Sequence, residues 1–368
     1  MHNTLINMHT MKRVFADKIA SVALCCRLTP DIRLSDEIPS EEGVVIAVEV
    51  LDDKTSYNQL ELASGRMATV RKGDVLVGAL GHRKALFGYS GHVPESLQPG
   101  DLVHLLNLGG VLGVCDDYDR ARGAPFPCKV LGAVLSFPFL GERIGVPARV
   151  GGFEIDGGSP LRLTGIPVIA IVGSCMDAGK TAAACAILAR MRHRGLEVDA
   201  FKATGVSARR DILAMEDAGA RSTLIFTDFG IVTTTSENAP ALARTMLLRL
   251  ATKEPDAILF ELGDGLLGAY GVEAILEDPE IRASLTAVVL SANDPVAAWG
   301  GATLLRDRFG IEPAVVTGPA TDNAVGVEII RDRLRLPAAN ALTNGAALGD
   351  LVLERVLEKR PLSAAASP

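Results

Sequence analysis

Hydrophobic and polar positions fall into two textures along this chain. Up to about residue 150, short runs rich in Val, Leu and Ile recur at close spacing, at 43–50, 68–70, 74–80, 86–89, 102–106, 111–115 and 130–135. Turn formers such as Lys72-Gly73-Asp74 and Pro99-Gly100-Asp101 separate them. Runs of this length between such breaks predict the strands of a small β-rich, barrel-like domain. From residue 168 the pattern changes. A continuous apolar strand at 168–172 is followed by helical spacing over 181–194 that stops at Gly195. Strands at 197–201, 257–261, 285–291 and 314–317 then alternate with helices at 209–218, 239–251, 295–308 and 326–334, and a helix at 345–358 closes the series. Alternation of this kind predicts an α/β domain with a mostly parallel sheet and helices on both faces.

Between the two textures lies GGFEIDGGSPLRLTGIP, 151–167, dense in Gly and Pro and read as a linker. The expected organisation is a β-rich domain with its linker at 1–160, an α/β domain at 161–350, and a helix end and tail at 351–368. A length of 368 residues agrees with two domains. The net charge of −7 gives no electrostatic reason to expect nucleic acid or an anionic membrane as partner. Mean hydropathy is +0.26, yet no apolar run reaches the roughly 18–20 residues of a spanning helix. Asp17 and Lys18 interrupt the apolar stretch behind Met1 to Arg13, and no small-residue cleavage site follows. Export is therefore not expected, and a cytoplasmic location is. The six cysteines, Cys25, Cys26, Cys115, Cys128, Cys175 and Cys185, show no C-x-x-C spacing and are expected as reduced thiols.

The most informative stretch is VIAIVGSCMDAGKTAAACAILARM, in which a buried strand enters a Gly-bearing turn and passes directly into a helix. Turn amides and a helix N-terminus direct N–H groups and positive dipole at anionic oxygens. Lys180 adds a charge, and the Thr181 hydroxyl can bind Mg²⁺. The candidate phosphate-binding residues are Gly173, Ser174, Cys175, Met176, Asp177, Ala178, Gly179, Lys180 and Thr181. Five residues rather than four separate Gly173 from Gly179.

GSCMDAGKT resembles the nine-residue loop of the dethiobiotin synthetase-like branch of the SIMIBI P-loop proteins. Ser174 and Cys175 stand near the place where the neighbouring metal-chaperone and partition ATPases usually carry a second lysine. Phe201-Lys202-Ala203-Thr204-Gly205 is similar to that branch's Lys-Pro-x-x-Gly segment, with Ala203 in place of the proline. The resemblance implies that Lys202 faces the substrate and the transferred phosphoryl group, and a lysine at the C-terminal end of a parallel strand is well placed for this. ILFELGDGLLG resembles the branch's Glu-Gly segment, which implies a Mg²⁺-holding role for Glu261. Asp211 is the candidate for the accompanying aspartate, with Asp228 and Asp177 as alternatives. In VVTGPATDNAVG, Asn323 is the candidate reader of the base and Asn340 its rival, both also at home in turns. The segment from Ala203 to Gly230 further resembles a group of fused proteins with the same core, some of them N-acyltransferases acting on an amino acid.

In the β-rich part, His82-Arg83-Lys84 is a local basic cluster, and His92 and His104 lie close by. They are read as turn or surface residues rather than as a metal site. Three functions compete. The leading one is an ATP- or NTP- and Mg²⁺-dependent, ligase-like enzyme that activates a carboxylate or carbamate of a small molecule. Lys180 and Lys202 would be its catalytic cations, and Thr181, Glu261 and Asp211 its metal ligands. The second is an acyl-CoA-dependent N-acyltransferase acting on an amine, with the loop on the CoA pyrophosphate. The third is a nucleotide-switched chaperone or regulator. A homodimer is left open.

Overall fold

The computed structural model describes residues 6–7, 11–138 and 144–359. Two compact units share the chain. Met1–Glu154 with Val206–Arg210 and Phe226–Thr233 form the first, and Ile155–Gly205, Asp211–Ile225 and Thr234–Pro368 form the second.

Five strands of the first unit close a ring: β1 (Val45–Val50), β2 (Val75–Leu80), β3 (Leu102–Leu105), β4 (Val111–Tyr118) and β5 (Phe126–Ser136). β5 pairs antiparallel with β1, β1 with β2, β3 with β4 and β3 with β5, while β2 and β4 run parallel. Closure leaves no open edge in the ring, so a modest number of short strands can stand together. One face of the ring is aliphatic, with Ile46, Val48, Leu76, Leu80, Val103 and Val130 all buried. Further strands flank the ring. Asp31–Ser35 pairs with β5 and with Lys12–Phe15, and Gln59–Glu61 pairs with Met67–Thr69. The apolar run 86–89 is not a strand along its length. Arg83–Lys84 and Tyr89–His92 form a hairpin, and Leu86 and Phe87 stand exposed in its connection.

The two segments that the first unit takes from later in the chain are held by carboxylates, Glu61 buried and Glu42 partly so. Glu61 accepts from the backbone N–H groups of Arg209 (2.7 Å) and Arg210 (2.8 Å). Glu42 accepts from those of Val232 (3.1 Å) and Thr233 (2.7 Å), and burial raises its pKa. Asn107 donates to the Ser207 carbonyl at 2.7 Å.

The second unit is an α/β layer structure. Its six parallel strands are β6 (Val168–Gly173), β7 (Val198–Thr204), β8 (Thr223–Ile225), β9 (Ala257–Leu262), β10 (Leu285–Ser291) and β11 (Val315–Thr317), in the order β8-β7-β9-β6-β10-β11. The helices are α1 (Lys180–His193), α2 (Arg210–Asp217), α3 (Ala239–Ala251), α4 (Val272–Glu277), α5 (Pro279–Ser284), α6 (Pro295–Phe309), α7 (Ala324–Ile329) and α8 (Gly345–Lys359). Both sheet faces are covered, which is why the strands read as continuous apolar runs rather than alternating ones. Ile169, Ile171 and Val289 pack with Ala184, Ile187 and Leu188 of α1 and Leu348 and Val352 of α8. The period of two sends Phe201 and Phe260 to the opposite face, where their rings stack with centroids 4.9 Å apart. α3 packs against β7 and β9 on that side.

The helix expected over 326–334 is split. α7 ends at Ile329, and a π-turn over Ile330–Leu334 follows, closed by Arg335 in the left-handed region. α4 and α5 had no counterpart in the pattern. Asp278 separates them, capping α5 by accepting from the N–H groups of Glu280 and Ile281.

Candidate functional site

The candidate residues gather outside the C-terminal ends of β6, β7 and β9, where open α/β sheets collect ligands. β6 delivers Gly173, and the chain turns through Ser174 to Gly179 before α1 begins at Lys180. Gly179 has φ +90°, a conformation that a side chain would strain. The loop is braced from below. The Ser174 N–H donates to the Ser291 carbonyl (2.9 Å), and a Cβ on Gly265 would lie 2.7 Å from the Ser174 carbonyl oxygen. Cys175 is fixed from β10's far end, where the Asn293 amide donates to its Sγ at 3.0 Å.

Lys180 is buried, and its Nζ donates to the Cys175 carbonyl at 2.8 Å, folding the side chain back along the loop. Burial lowers its pKa, opposed by the charge of Glu261. The Thr181 hydroxyl donates to Glu261 Oε2 at 3.0 Å, which brings the first turn of α1 onto the end of β9. Glu261 is buried, and its pKa is raised by that burial and then by the nearby charge of Asp211, with Lys202 and Lys180 acting against the shift. Lys202, at the end of β7, forms an ion pair with Asp211 of α2. Four charged side chains, two of each sign, therefore meet beside the loop in a largely dry setting.

This donor set fits a hard divalent cation. Mg²⁺ takes one or two carboxylates and completes its shell with phosphate oxygens and water. Glu261, Asp211 and the Thr181 hydroxyl supply that kind of partial shell. Among the described residues no group of three or more His, Cys, Asp or Glu side chains could hold a metal by itself. Asp264, which sequence reasoning did not single out, lies close enough to Lys180 for their charges to interact. Burial raises its pKa. The buried hydroxyls of Ser174, Ser291 and Thr317 have no hydrogen-bond partner among the described residues, so polar groups without partners fringe the loop.

Other candidates are placed elsewhere. Asp177 sits in the loop with φ +56°. Asp228 belongs to the first unit, in an ion pair with Arg209 at 3.6 Å. The Asn323 side chain caps α7 by accepting from the Gly326 N–H at 3.0 Å. Asn340 donates to Thr321 and Asp322 and accepts from the N–H groups of Leu342 and Thr343. Both asparagines hold turns together. In the first unit, Arg83 is buried and donates to the Leu106 carbonyl, and His92 bonds Asp116 at 2.7 Å. His104 accepts from the Cys115 N–H at 3.2 Å.

No protein-family model matches the chain, and no curated protein matches it. Among solved structures, the signal recognition particle receptor FtsY from Elizabethkingia anophelis is similar at 16% identity over 50% of this chain and 65% of that one, with a TM-score of 0.36. A DUF1611 family protein from Anabaena variabilis is similar at 18% identity over 56% of this chain and 62% of that one, with a TM-score of 0.39. The hydrogenase maturation factor HypB from Archaeoglobus fulgidus is similar at 13% identity over 54% of this chain and 93% of that one, with a TM-score of 0.38. The chain spans less than two thirds of the length of the first two. By its own topology the second unit is an α/β domain built on a six-stranded parallel sheet, and a β-rich mixed sheet precedes it along the chain.

Proposed function

We propose that the α/β unit binds a nucleoside triphosphate with Mg²⁺ and transfers its terminal phosphoryl group to a carboxylate or carbamate of a small molecule. The observation that carries this reading is the meeting of the Thr181 hydroxyl with the Glu261 carboxylate at 3.0 Å, beside a glycine-hinged loop that leads into a helix N-terminus. The Asp211 charge and burial disfavour the Glu261 carboxylate more than Lys202 and Lys180 compensate, a balance that a divalent cation would relieve. Glu261, Asp211 and Thr181 would hold Mg²⁺, which when bound supplies charge neutralisation on the β- and γ-phosphates. Loop amides and Lys180 hold the phosphates. Lys202, oriented by Asp211, meets the charge that develops on the transferring group, so positioning and electrostatics carry the rate. The Lys202-x-x-Gly205 and Glu261-Leu262-Gly263 segments support the dethiobiotin synthetase-like branch in particular. An acyl-CoA pyrophosphate would engage the loop amides and Lys180 but would leave the Glu261, Asp211 and Thr181 cluster without a task.

A second reading, a nucleotide-switched regulator, is favoured by one feature of the chain path. The polypeptide leaves the α/β unit between Gly205 and Asp211, and again between Ile225 and Thr234, to build part of the β-rich unit. Segments that follow the nucleotide-facing strands are where such switches act.

Thermal-shift measurements with ATP, GTP and acyl-CoA, each with and without Mg²⁺, test the proposal. A ligand at a hundred times its dissociation constant stabilises by about 2.7 kcal/mol. Stabilisation by ATP or GTP that requires Mg²⁺ is expected. Stabilisation by acyl-CoA without Mg²⁺, and none by either nucleotide, overturns it. Mg²⁺-dependent binding with slow turnover that no small carboxylate or amine accelerates would transfer support to the switch.

A further inference from the structure

Outside the phosphate site, the chemistry-bearing group that the proposed function leaves unused is a pair of adjacent thiols in the β-rich unit. Cys25 and Cys26 end a 3-10 turn, Ser21–Cys26, whose first three residues are buried while the two cysteines are half exposed. Their Sγ atoms lie 4.0 Å apart. The Gly151 N–H donates to Cys25 Sγ at 3.1 Å, and the single Cys26 thiol proton has two acceptors within reach, Cys25 Sγ and the Arg149 carbonyl at 3.2 Å. Cys26 also lines a cavity of about 530 Å³ together with Arg27, Arg33 and Phe137, and Cys25 beside it is itself partly exposed.

We infer that Cys25 and Cys26 form a hydroperoxide-reactive pair, in which Cys25 attacks the peroxide and Cys26 resolves the product. The environment separates the two roles. The hydrogen bonds of Cys25 with Cys26 and with the Gly151 amide push its pKa down, against the effects of burial and of the Asp228 charge. The Cys26 thiol is pushed up and keeps its proton. Elsewhere burial raises Cys115, takes Cys128 to about 12 and takes Cys185 to about 11. The Cys25 thiolate is therefore the better nucleophile at neutral pH.

The chemistry balances with hydrogen peroxide as oxidant. The Cys25 thiolate displaces hydroxide from one peroxide oxygen, giving Cys25 sulfenic acid. The Cys26 sulfur then attacks Cys25, the S–O bond breaks, and the Cys26 proton leaves with the departing hydroxide as water. Two thiols become one disulfide and one peroxide becomes two waters. The product is strained, because adjacent Cα atoms stand about 3.8 Å apart and most disulfides span about 4.4–6.8 Å. Strained disulfides have oxidising potentials and are reduced readily, which suits a reversible mark rather than a permanent staple.

The test uses the intact chain and mass spectrometry of the tryptic peptide 19–27, cut after Lys18 and Arg27 and holding both thiols and no other. Limiting peroxide should remove two hydrogens from this peptide several-fold faster than it modifies the peptides of Cys115 or Cys185, and dithiothreitol should restore them. In Cys26→Ser the reaction should stop at a sulfenic acid on Cys25 that dimedone traps, and Cys25→Ser should leave Cys26 unmodified. Oxidation of 19–27 no faster than of the other cysteine peptides in the unaltered chain overturns the inference. So does direct conversion of the peptide to sulfinic acid without loss of two hydrogens, and neither result depends on a variant that folds.

Discussion

At the scale of single residues, the site rests on side chains whose type and position could be read from the sequence because the backbone alone fixes their place. Lys180 and Thr181 follow a strand and a glycine turn, and Glu261 ends a buried apolar run, so each had one credible location. Choosing between Asp211 and Asp228 needed tertiary information. Both stand in short polar stretches, and the fold pairs Asp211 with Lys202 while Asp228 pairs with Arg209 in the other unit. The brace from Asn293 to Cys175 joins positions on different strand ends and left no local trace. Two substitutions separate the tasks assigned to the site. Lys180→Ala removes a buried cation from the phosphate cradle and should abolish nucleotide binding with and without Mg²⁺ while the fold persists. Glu261→Gln keeps the side chain's shape and its bond from Thr181 but removes a charge from the metal site. Isothermal titration should then show weak nucleotide affinity retained and its enhancement by Mg²⁺ lost, by roughly tenfold or more for about 1.4 kcal/mol of lost interaction. Equal behaviour of the two variants would refute the division of labour.

At the scale of elements, the long periodic segments of the α/β unit emerged close to their expected limits, since an apolar stripe or run decides them before packing does. Elements decided by partners did not. Asp31–Ser35 alternates charged and apolar residues over a span too short to stand out, and it is a strand because β5 pairs with it. Likewise β4 extends to Tyr118 through an acidic stretch because Tyr89–His92 lies beside it. The closing helix α8 shows which forces hold an element. Leu348, Val352 and Val356 are fully buried on the α1 side, while Arg190 of α1 grips Asp350 through two hydrogen bonds of 2.8 and 2.7 Å near the surface. The guanidinium holds the Asp350 pKa below its ordinary value. A depressed carboxylate contributes stability that is present above its unfolded pKa and is lost as pH falls through the folded one. Asp350→Asn should therefore lower Tm at neutral pH by no more than about 3 °C and remove this acid-side loss. Leu348→Ala should cost about 2–5 kcal/mol at every pH. Thermal melts of both variants between pH 3 and pH 8 check the pair, and a larger effect from the asparagine would mean that charge, not burial, docks α8.

At the scale of the whole molecule, the proposed function asks a chain of net charge −7 to hold a polyphosphate, so attraction would have to be local: loop amides, Lys180, Lys202 and a bridging cation. The chain path is the feature that composition and periodicity could not disclose. A linker at 151–167 suggests two halves joined once. Instead Val206–Arg210 and Phe226–Thr233 belong to the β-rich unit, so the polypeptide crosses between units five times. Within that unit the Glu61 carboxylate takes the Arg209 and Arg210 amides, Glu42 takes those of Val232 and Thr233, and Phe153 meets Phe229 with ring centroids 5.4 Å apart. A fragment of residues 155–368 keeps the whole parallel sheet but loses every one of these partners. Backbone amides freed in this way are solvated and open, which is the condition for proteolytic cleavage. Limited trypsin digestion should therefore cut the fragment first after Arg209 or Arg210, with chymotrypsin cutting after Phe226 or Phe229, while the intact chain resists at all four. Glu61→Gln in the intact chain weakens one clasp and not the other, so it should raise cleavage near Arg209 and leave the Phe229 region unchanged. If the fragment proves as resistant as the whole chain, the two segments hold their shape without the β-rich unit, and the path's crossings carry no structural dependence of one unit on the other.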